Sequence, residues 1–270
     1  MPVLLHHGCP LAYDLRGAGP PVLFVQGVGV HGDGWRPQVE PLAARYSCLT
    51  FDNRGMGRSQ PAGAAVSVEQ MADDARAVLD AAGWESAHVV GHSLGGLAAV
   101  TLALAHRRRV RSLTLMCTFA DGRAVAPLTW RMIWAGLRTK IGTRRMRRRG
   151  FLQLLLPPGT VTGADADALA ERLAPLFGHD LADAPPVVHD QLKAMRAADA
   201  TPRLGELTGL PTLVMCGTHD PIAPPTFGRA LATGIPGTKF IEYADASHGL
   251  PIQWPDRVNA KLEEFWQAAG

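Results

Sequence analysis

Between Val22 and Ala120, short apolar runs alternate with stretches of helical spacing, and few folds accept that order. The runs at 22–25, 48–51, 88–90 and 113–117 are apolar almost throughout, as strands buried on both faces of a parallel sheet are. Helix signals fill the gaps. Ser67-Val68-Glu69-Gln70 has the form of a capping box, Met71, Ala75, Val78, Leu79 and Ala82 follow at helical spacing, and Gly83 supplies a stop. Residues 94–106 are apolar and Ala-rich, the composition of a helix packed tightly on a sheet. Alternation at this spacing needs crossover connections, and so predicts an α/β fold.

The pattern breaks between Asp121 and Ala200. Strand signals vanish, and helical stretches with poor apolar continuity take over: Ile133, Leu137 and Ile141, then 152–156, then 169–176. Alternation resumes with strands expected at 211–216 and 240–243. A last helix follows, with Pro255 in its first turn and Val258, Leu262 and Phe265 on one face. A core of residues 1–120 and 201–270, carrying a helical insertion over 121–200, is the economical organisation.

Composition excludes several classes. A hydrophobic fraction of 47% rules out a disordered chain. No run approaches the roughly 18 apolar residues of a membrane helix. Residues 1–10 carry two His where a signal peptide needs a charged start and an apolar centre. Cys9, Cys48, Cys117 and Cys216 lie far apart, without ligand spacing, and read as core residues in a reducing compartment rather than a disulfide frame or zinc site. A cytoplasmic protein without a membrane span is expected.

The net charge of +3 hides an asymmetry. Residues 121–160 hold nine bases (Arg123, Arg131, Arg138, Lys140, Arg144, Arg145, Arg147, Arg148, Arg149) against Asp121, while 161–200 hold seven acids and three bases. No stacking aromatic residues interleave with the arginine cluster at 144–150, which argues against nucleic-acid binding. A solvated helix face pairing with the acidic half is expected.

The chemistry centres on Gly91-His92-Ser93-Leu94-Gly95-Gly96, directly after one strand run and directly before a helix. A nucleophile on a strand-to-helix turn forces strained angles and close approach, so Gly91 and Gly95 must lack a Cβ. The turn presents the Ser93 hydroxyl, and the Leu94 amide stands at a helix N-terminus, aimed at developing negative charge. A serine needs a base, and the base an orienting carboxylate. His248, in the loop after the last strand, and Asp220, in Gly217-Thr218-His219-Asp220-Pro221, follow in the order Ser, Asp, His. Strand ends of a parallel sheet line one crevice, where the three can converge. Asp121 also follows a strand and is the competing acid. His92 has a structural place on the far side of the turn.

With these motifs, the chain resembles the α/β-hydrolase family over essentially its whole length. The elbow at 91–96, Asp52-Asn53-Arg54-Gly55-Met56-Gly57-Arg58-Ser59, the Asp220 turn and the His248 loop match in order and spacing. The resemblance implies an eight-stranded, mostly parallel sheet flanked by helices, with a helical cap insertion. It also implies a second oxyanion-hole amide in Val25-Gln26-Gly27-Val28-Gly29, making Val28 the partner of Leu94. Many relatives have His-Gly where this chain has Gln26-Gly27, a departure that a backbone donor tolerates.

The expected function is a serine hydrolase, without cofactor or metal, cleaving a small or medium carboxylic ester or lactone. Ser93, Asp220 and His248 are its triad, and the partner is the small-molecule substrate; oligomeric state is not set. Ser at position 93 argues against the dehalogenase and epoxide hydrolase branches, which carry Asp there. Carbon–carbon bond hydrolysis, cofactor-free perhydrolysis and a ligand receptor on a hydrolase fold are the alternatives. Trp130, Met132 and Trp134 either line an acyl pocket or, more plainly, pack the cap on the core.

Overall fold

Six apolar runs of the sequence become six parallel strands: β3 (Pro21–Val25), β4 (Ser47–Phe51), β5 (Ala87–His92), β6 (Val110–Met116), β7 (Thr212–Gly217) and β8 (Lys239–Tyr243). An antiparallel hairpin, β1 (Val3–His6) and β2 (Cys9–Arg16), completes one sheet in the order β1-β2-β4-β3-β5-β6-β7-β8. The computed structural model describes residues 1–124, 141–161 and 165–270. The hairpin is the element that apolar continuity does not reveal. Its outer strand is an edge, with Val3 58% and Leu5 74% exposed, so it lacks the runs of a strand buried on both faces. His7 and Gly8, both with positive φ, make the two-residue turn whose twist suits a hairpin.

Helices cover both faces. α1 (Arg36–Leu42) and α9 (Pro255–Ala269) lie on one, α2 (Val68–Ala81), α3 (Leu94–Ala105) and α7 (Pro225–Gly234) on the other, and the short α8 (Leu250–Gln253) precedes α9. Half of the capping box forms at α2: the Ser67 hydroxyl accepts from the Gln70 amide at 3.0 Å, but the Gln70 side chain turns to Asp74, 3.2 Å away. On α9, Val258, Leu262 and Phe265 are buried with Trp266 beside them.

Between β6 and β7 in sequence stand α4 (Arg144–Leu155), α5 (Ala166–Phe177) and α6 (Val188–Ala197). The chain leaves and rejoins the sheet layer at an antiparallel bridge between Asp121 and Asp199. Two amide–carbonyl bonds flank it, Gly122 to Ala198 at 3.0 Å and Ala200 to Ala120 at 2.9 Å. The basic and acidic halves pair, as their charge pattern implied. Arg144 meets Asp180 and Asp183 at 2.9 Å, Arg145 meets Asp167 at 3.3 Å, and Arg148 reaches Asp167, Glu171 and Asp180. Trp130, Met132, Ile133, Trp134 and Leu137 lie outside the described residues. All four cysteines are free and buried. No described helix is long and apolar enough to cross a membrane.

Beneath the loops at the C-terminal edge lies an ion pair away from water. The Arg54 guanidinium, fully buried, grips Asp74 with two bonds of 2.7 and 2.5 Å and donates to the Ala62 carbonyl at 2.6 Å. Removing one partner strands the other charge in a poorly hydrated interior. Asp74→Ala is therefore expected to lower unfolding stability in urea by about 3–5 kcal/mol. Asp80→Ala, which removes the exposed partner of Arg76 and Arg109, should cost under about 1 kcal/mol.

Candidate active site

The close approach expected of the elbow is present. A Cβ on Gly91 would stand 2.4 Å from the Gly95 carbonyl oxygen, and one on Gly95 would stand 2.2 Å from that of Val25. Ser93 has φ +54°, a left-handed conformation rare for serine, at the junction of β5 and α3. Its amide donates to the Met116 carbonyl at 3.0 Å, and its carbonyl accepts from the Thr118 hydroxyl at 2.6 Å and the Gly96 amide at 2.9 Å. Strain here is held from several sides.

The acid and base candidates meet. Asp220 Oδ2 lies 2.8 Å from His248 Nδ1, and the other carboxylate oxygen accepts from the Ile222 and Ala223 amides, each at 2.8 Å. Both side chains are buried. A carboxylate fixed by two amides holds one imidazole nitrogen as the N–H donor and leaves Nε2 as a proton acceptor. Asp121 is not brought to this pair. It sits at the bridge, bonded to Arg123, whose side-chain hydrogen bond, more than its charge, lowers the Asp121 pKa.

The His248 loop is tied on every side. His92 Nε2 lies 2.9 Å from the His248 carbonyl oxygen, so His92 joins the nucleophile turn to the base loop. Burial and then the nearby His248 ring push its pKa from 6.5 to about 3, which keeps it neutral with the proton on the donating nitrogen. The Ser247 amide donates to Gln253 Oε1 (2.9 Å) and its hydroxyl donates to the His219 carbonyl (3.0 Å). The Gly249 amide donates to Leu155, at the end of α4, at 2.8 Å.

The loop after β3 runs beside Ser93: a Cβ on Gly27 would stand 3.0 Å from Ser93 Cβ and 3.5 Å from its hydroxyl oxygen. Among the described residues, neither the Val28 nor the Leu94 amide has a hydrogen-bond acceptor. Gln26 is buried, accepts from the Gly27 amide on its side-chain oxygen at 3.1 Å, and accepts from Asn53 Nδ2 on its backbone carbonyl at 2.9 Å. It thereby braces the loop internally.

His92, Cys117 and His248 offer ligand atoms within 4.8 Å of one another, as do His6, His7 and Asp73. In the first group both imidazoles are already bonded, and burial raises the Cys117 pKa, so its thiol stays protonated. A cation there would have to displace Asp220 or deprotonate that thiol.

Burial pushes His88 down as well, to about 4, with the Arg111 charge adding to it. Unfolded, both histidines titrate near 6.5. Above that pH neither state binds a proton at these sites. Below it the unfolded chain gains protons that the folded chain refuses, so stability falls as pH drops from about 6.5. Urea unfolding near pH 4.5 should show a loss of about 2 kcal/mol per histidine relative to pH 7. His88→Phe and His92→Gln are each expected to flatten that slope.

The family model of the α/β hydrolase fold matches residues 20–254. A putative carbamate hydrolase, RutD, from Azorhizobium caulinodans is 34% identical over 259 residues, covering 94% of each chain. Among solved structures, Est816, described as an N-acyl homoserine lactone degrading enzyme, superimposes with a TM-score of 0.81 at 27% identity over 98% of this chain and 100% of its own. The enol-lactonase from Burkholderia xenovorans LB400 gives a TM-score of 0.80 at 25% identity, with the same coverage of each chain.

Proposed function

Because this chain belongs to the α/β hydrolase family, we propose that it is a serine hydrolase of small or medium carboxylic esters and lactones, with Ser93 as nucleophile. The observation that carries the reading is the 2.8 Å contact of His248 Nδ1 with an amide-braced Asp220, in a loop bonded to the residue preceding Ser93. Ser93 Oγ attacks the carbonyl carbon while His248 Nε2 takes its proton, and Asp220 stabilises the imidazolium. The carbonyl oxygen becomes an oxyanion that the Val28 and Leu94 amides receive; each such donor lowers the barrier by about 3 kcal/mol. His248 returns the proton to the departing alkoxide, leaving an acyl-enzyme. Water, deprotonated by the same histidine, then releases the acid.

Residues 121–200 serve as the cap over this crevice, from the bridge at Asp121 and Asp199 onward. The free, buried cysteines favour a reducing, cytoplasmic setting. Similarity to a putative carbamate hydrolase favours a second substrate class, carbamates, which the same attack would open through a carbamoyl-enzyme.

The test is a panel of p-nitrophenyl esters of increasing chain length, lactones and aryl carbamates, run beside Ser93→Ala. An alanine keeps the backbone and deletes only the nucleophile, so kcat should fall at least about 10⁴-fold. Asp220→Asn should cost far more than Asp121→Asn. Activity like the wild type in the Ser93 variant, or the reverse order for the two acids, would sink the assignment.

A further inference from the structure

Gly29, one residue after the proposed oxyanion donor Val28, has both of its backbone polar groups taken by the helical segment. Its amide donates to Gln191 Oε1 at 2.9 Å, and its carbonyl oxygen lies 2.8 Å from His179 Nε2. These partners lie 162 and 150 positions away in sequence. Gln191 is on α6 and fully buried, and its amide nitrogen has no hydrogen-bond partner among the described residues. His179 follows α5, and its Nδ1 lies 2.9 Å from the Asp180 carbonyl oxygen. The Asp180 carboxylate is held in turn by Arg144, Arg148 and the Ala182 amide. Val188, one turn before Gln191, packs where a Gly29 side chain would begin, 3.0 Å from that point, and Gly29 has φ +69°.

Loop flexibility gives these contacts a catalytic meaning. Gly27 and Gly29 flank Val28, so the loop has more backbone freedom than side-chain-bearing neighbours would leave it. An oxyanion donor must nevertheless sit about 2.7–3.1 Å from where the charge develops, already in place when it does. Packing against Ser93 and the Asn53 bond to Gln26 fix the start of the loop. At Gly29 both backbone ties come from the helical segment, through Gln191 and His179, and the next described tie is the Gly32 amide on Asp52. Burying a glutamine with one donor unsatisfied is costly, and here its acceptor does a specific task.

We propose that Gln191 and His179 are positioning residues of the oxyanion hole: the helical segment completes the catalytic machinery through Gly29, beyond covering it. The proposal rests on the reading of Ser93 as nucleophile and Val28 as donor.

The experiment compares wild type with Gln191→Met, His179→Phe, His179→Gln and the double variant Q191M/H179F. Two readouts apply: kcat and KM for p-nitrophenyl acetate, and the rate at which a fluorophosphonate labels Ser93, followed by intact mass. That labelling bonds Ser93 Oγ to phosphorus, expels fluoride and passes the proton to His248. It also develops negative charge on the phosphoryl oxygen, so it reports the oxyanion hole without a natural substrate. Gln191→Met and His179→Phe should each lower kcat and the labelling rate together by about tenfold to a hundredfold, with KM within about twofold. His179→Gln, whose amide can donate to the Gly29 carbonyl, should recover most of the rate. The double variant should lose less than the product of the singles, since both ties hold one residue. If Gln191→Met fails to fold, the two His179 variants carry the test. Unchanged rates in folded variants, or a raised KM with kcat intact, would overturn the positioning role alone. No labelling of Ser93 in the wild type would overturn the proposed function and this inference with it.

Discussion

The first turn of α3 lies so close to the end of β3 that no side chain fits between them, and the C-terminal edge of the sheet is arranged around that contact. A Cβ on Gly95 would stand 2.2 Å from the Val25 carbonyl oxygen, and one on Gly96 2.6 Å from Thr118 Cβ. Helix and strand can approach this far only because the chain turns abruptly at Ser93, and the abrupt turn is what sets φ there to +54°. Such a conformation costs about 1–3 kcal/mol in a non-glycine residue and persists only where the surroundings over-determine it. Here β6 takes the Ser93 amide, and Thr118, just beyond β6, takes its carbonyl. The strain is thus set against three neighbouring segments at once, and the hydroxyl is left as the one polar group of the residue without a backbone task.

Loops at this edge hold one another through side chains reaching back to main-chain atoms. Asp52 accepts from the Gly32 amide at 2.8 Å and the Arg58 amide at 3.0 Å, while the Ser59 hydroxyl donates to the Asp52 carbonyl at 2.7 Å. Asn53 reaches across to Gln26. Below them Arg54 and Asp74 form a pair that water cannot screen, which fixes the loop after β4 on α2. The motif 52–59 therefore acts as a brace. It places no reacting group, but the loop beside Ser93 is anchored to it.

Much of this was legible in the chain, for a definable reason. Strands buried on both faces are apolar almost throughout, so β3, β4, β5 and β7 announce themselves within one or two residues of their ends; β6 begins three residues before its apolar run, and β8 is a partly exposed edge strand that still carries Phe240, Ile241 and Tyr243. The elbow is legible because tight approach forbids a Cβ, and glycine is the one residue that records this in sequence. The hairpin β1–β2 was not, since an edge strand with a wet face carries a weaker pattern, and its turn is His7-Gly8 rather than the commoner Asn-Gly. Asp220 and His248 were found by chain order, yet their contact and the amide brace on Asp220 depend on where β7 and β8 end. His92, Gln191 and His179 leave no local signal. Each acts on a backbone atom more than a hundred residues away, and only the fold states that distance.

A division of labour follows from where each group is anchored. Ser93, Asp220 and His248 stand at the ends of strands or in loops leaving them, on a sheet backed by a buried apolar cluster on each face. Gly29 is held instead by helices outside that frame, whose own coherence rests on a small apolar cluster around Leu152, Leu155, Leu176 and Phe177 and on arginine–carboxylate pairs. If Ser93 is the nucleophile and the Val28 amide receives the oxyanion, then attack and proton transfer belong to the sheet frame and part of the charge stabilisation to the helical segment. Changes in the helices would then alter which substrates enter and how well the charge on their carbonyl is met, while the nucleophile and its base stay where the sheet put them.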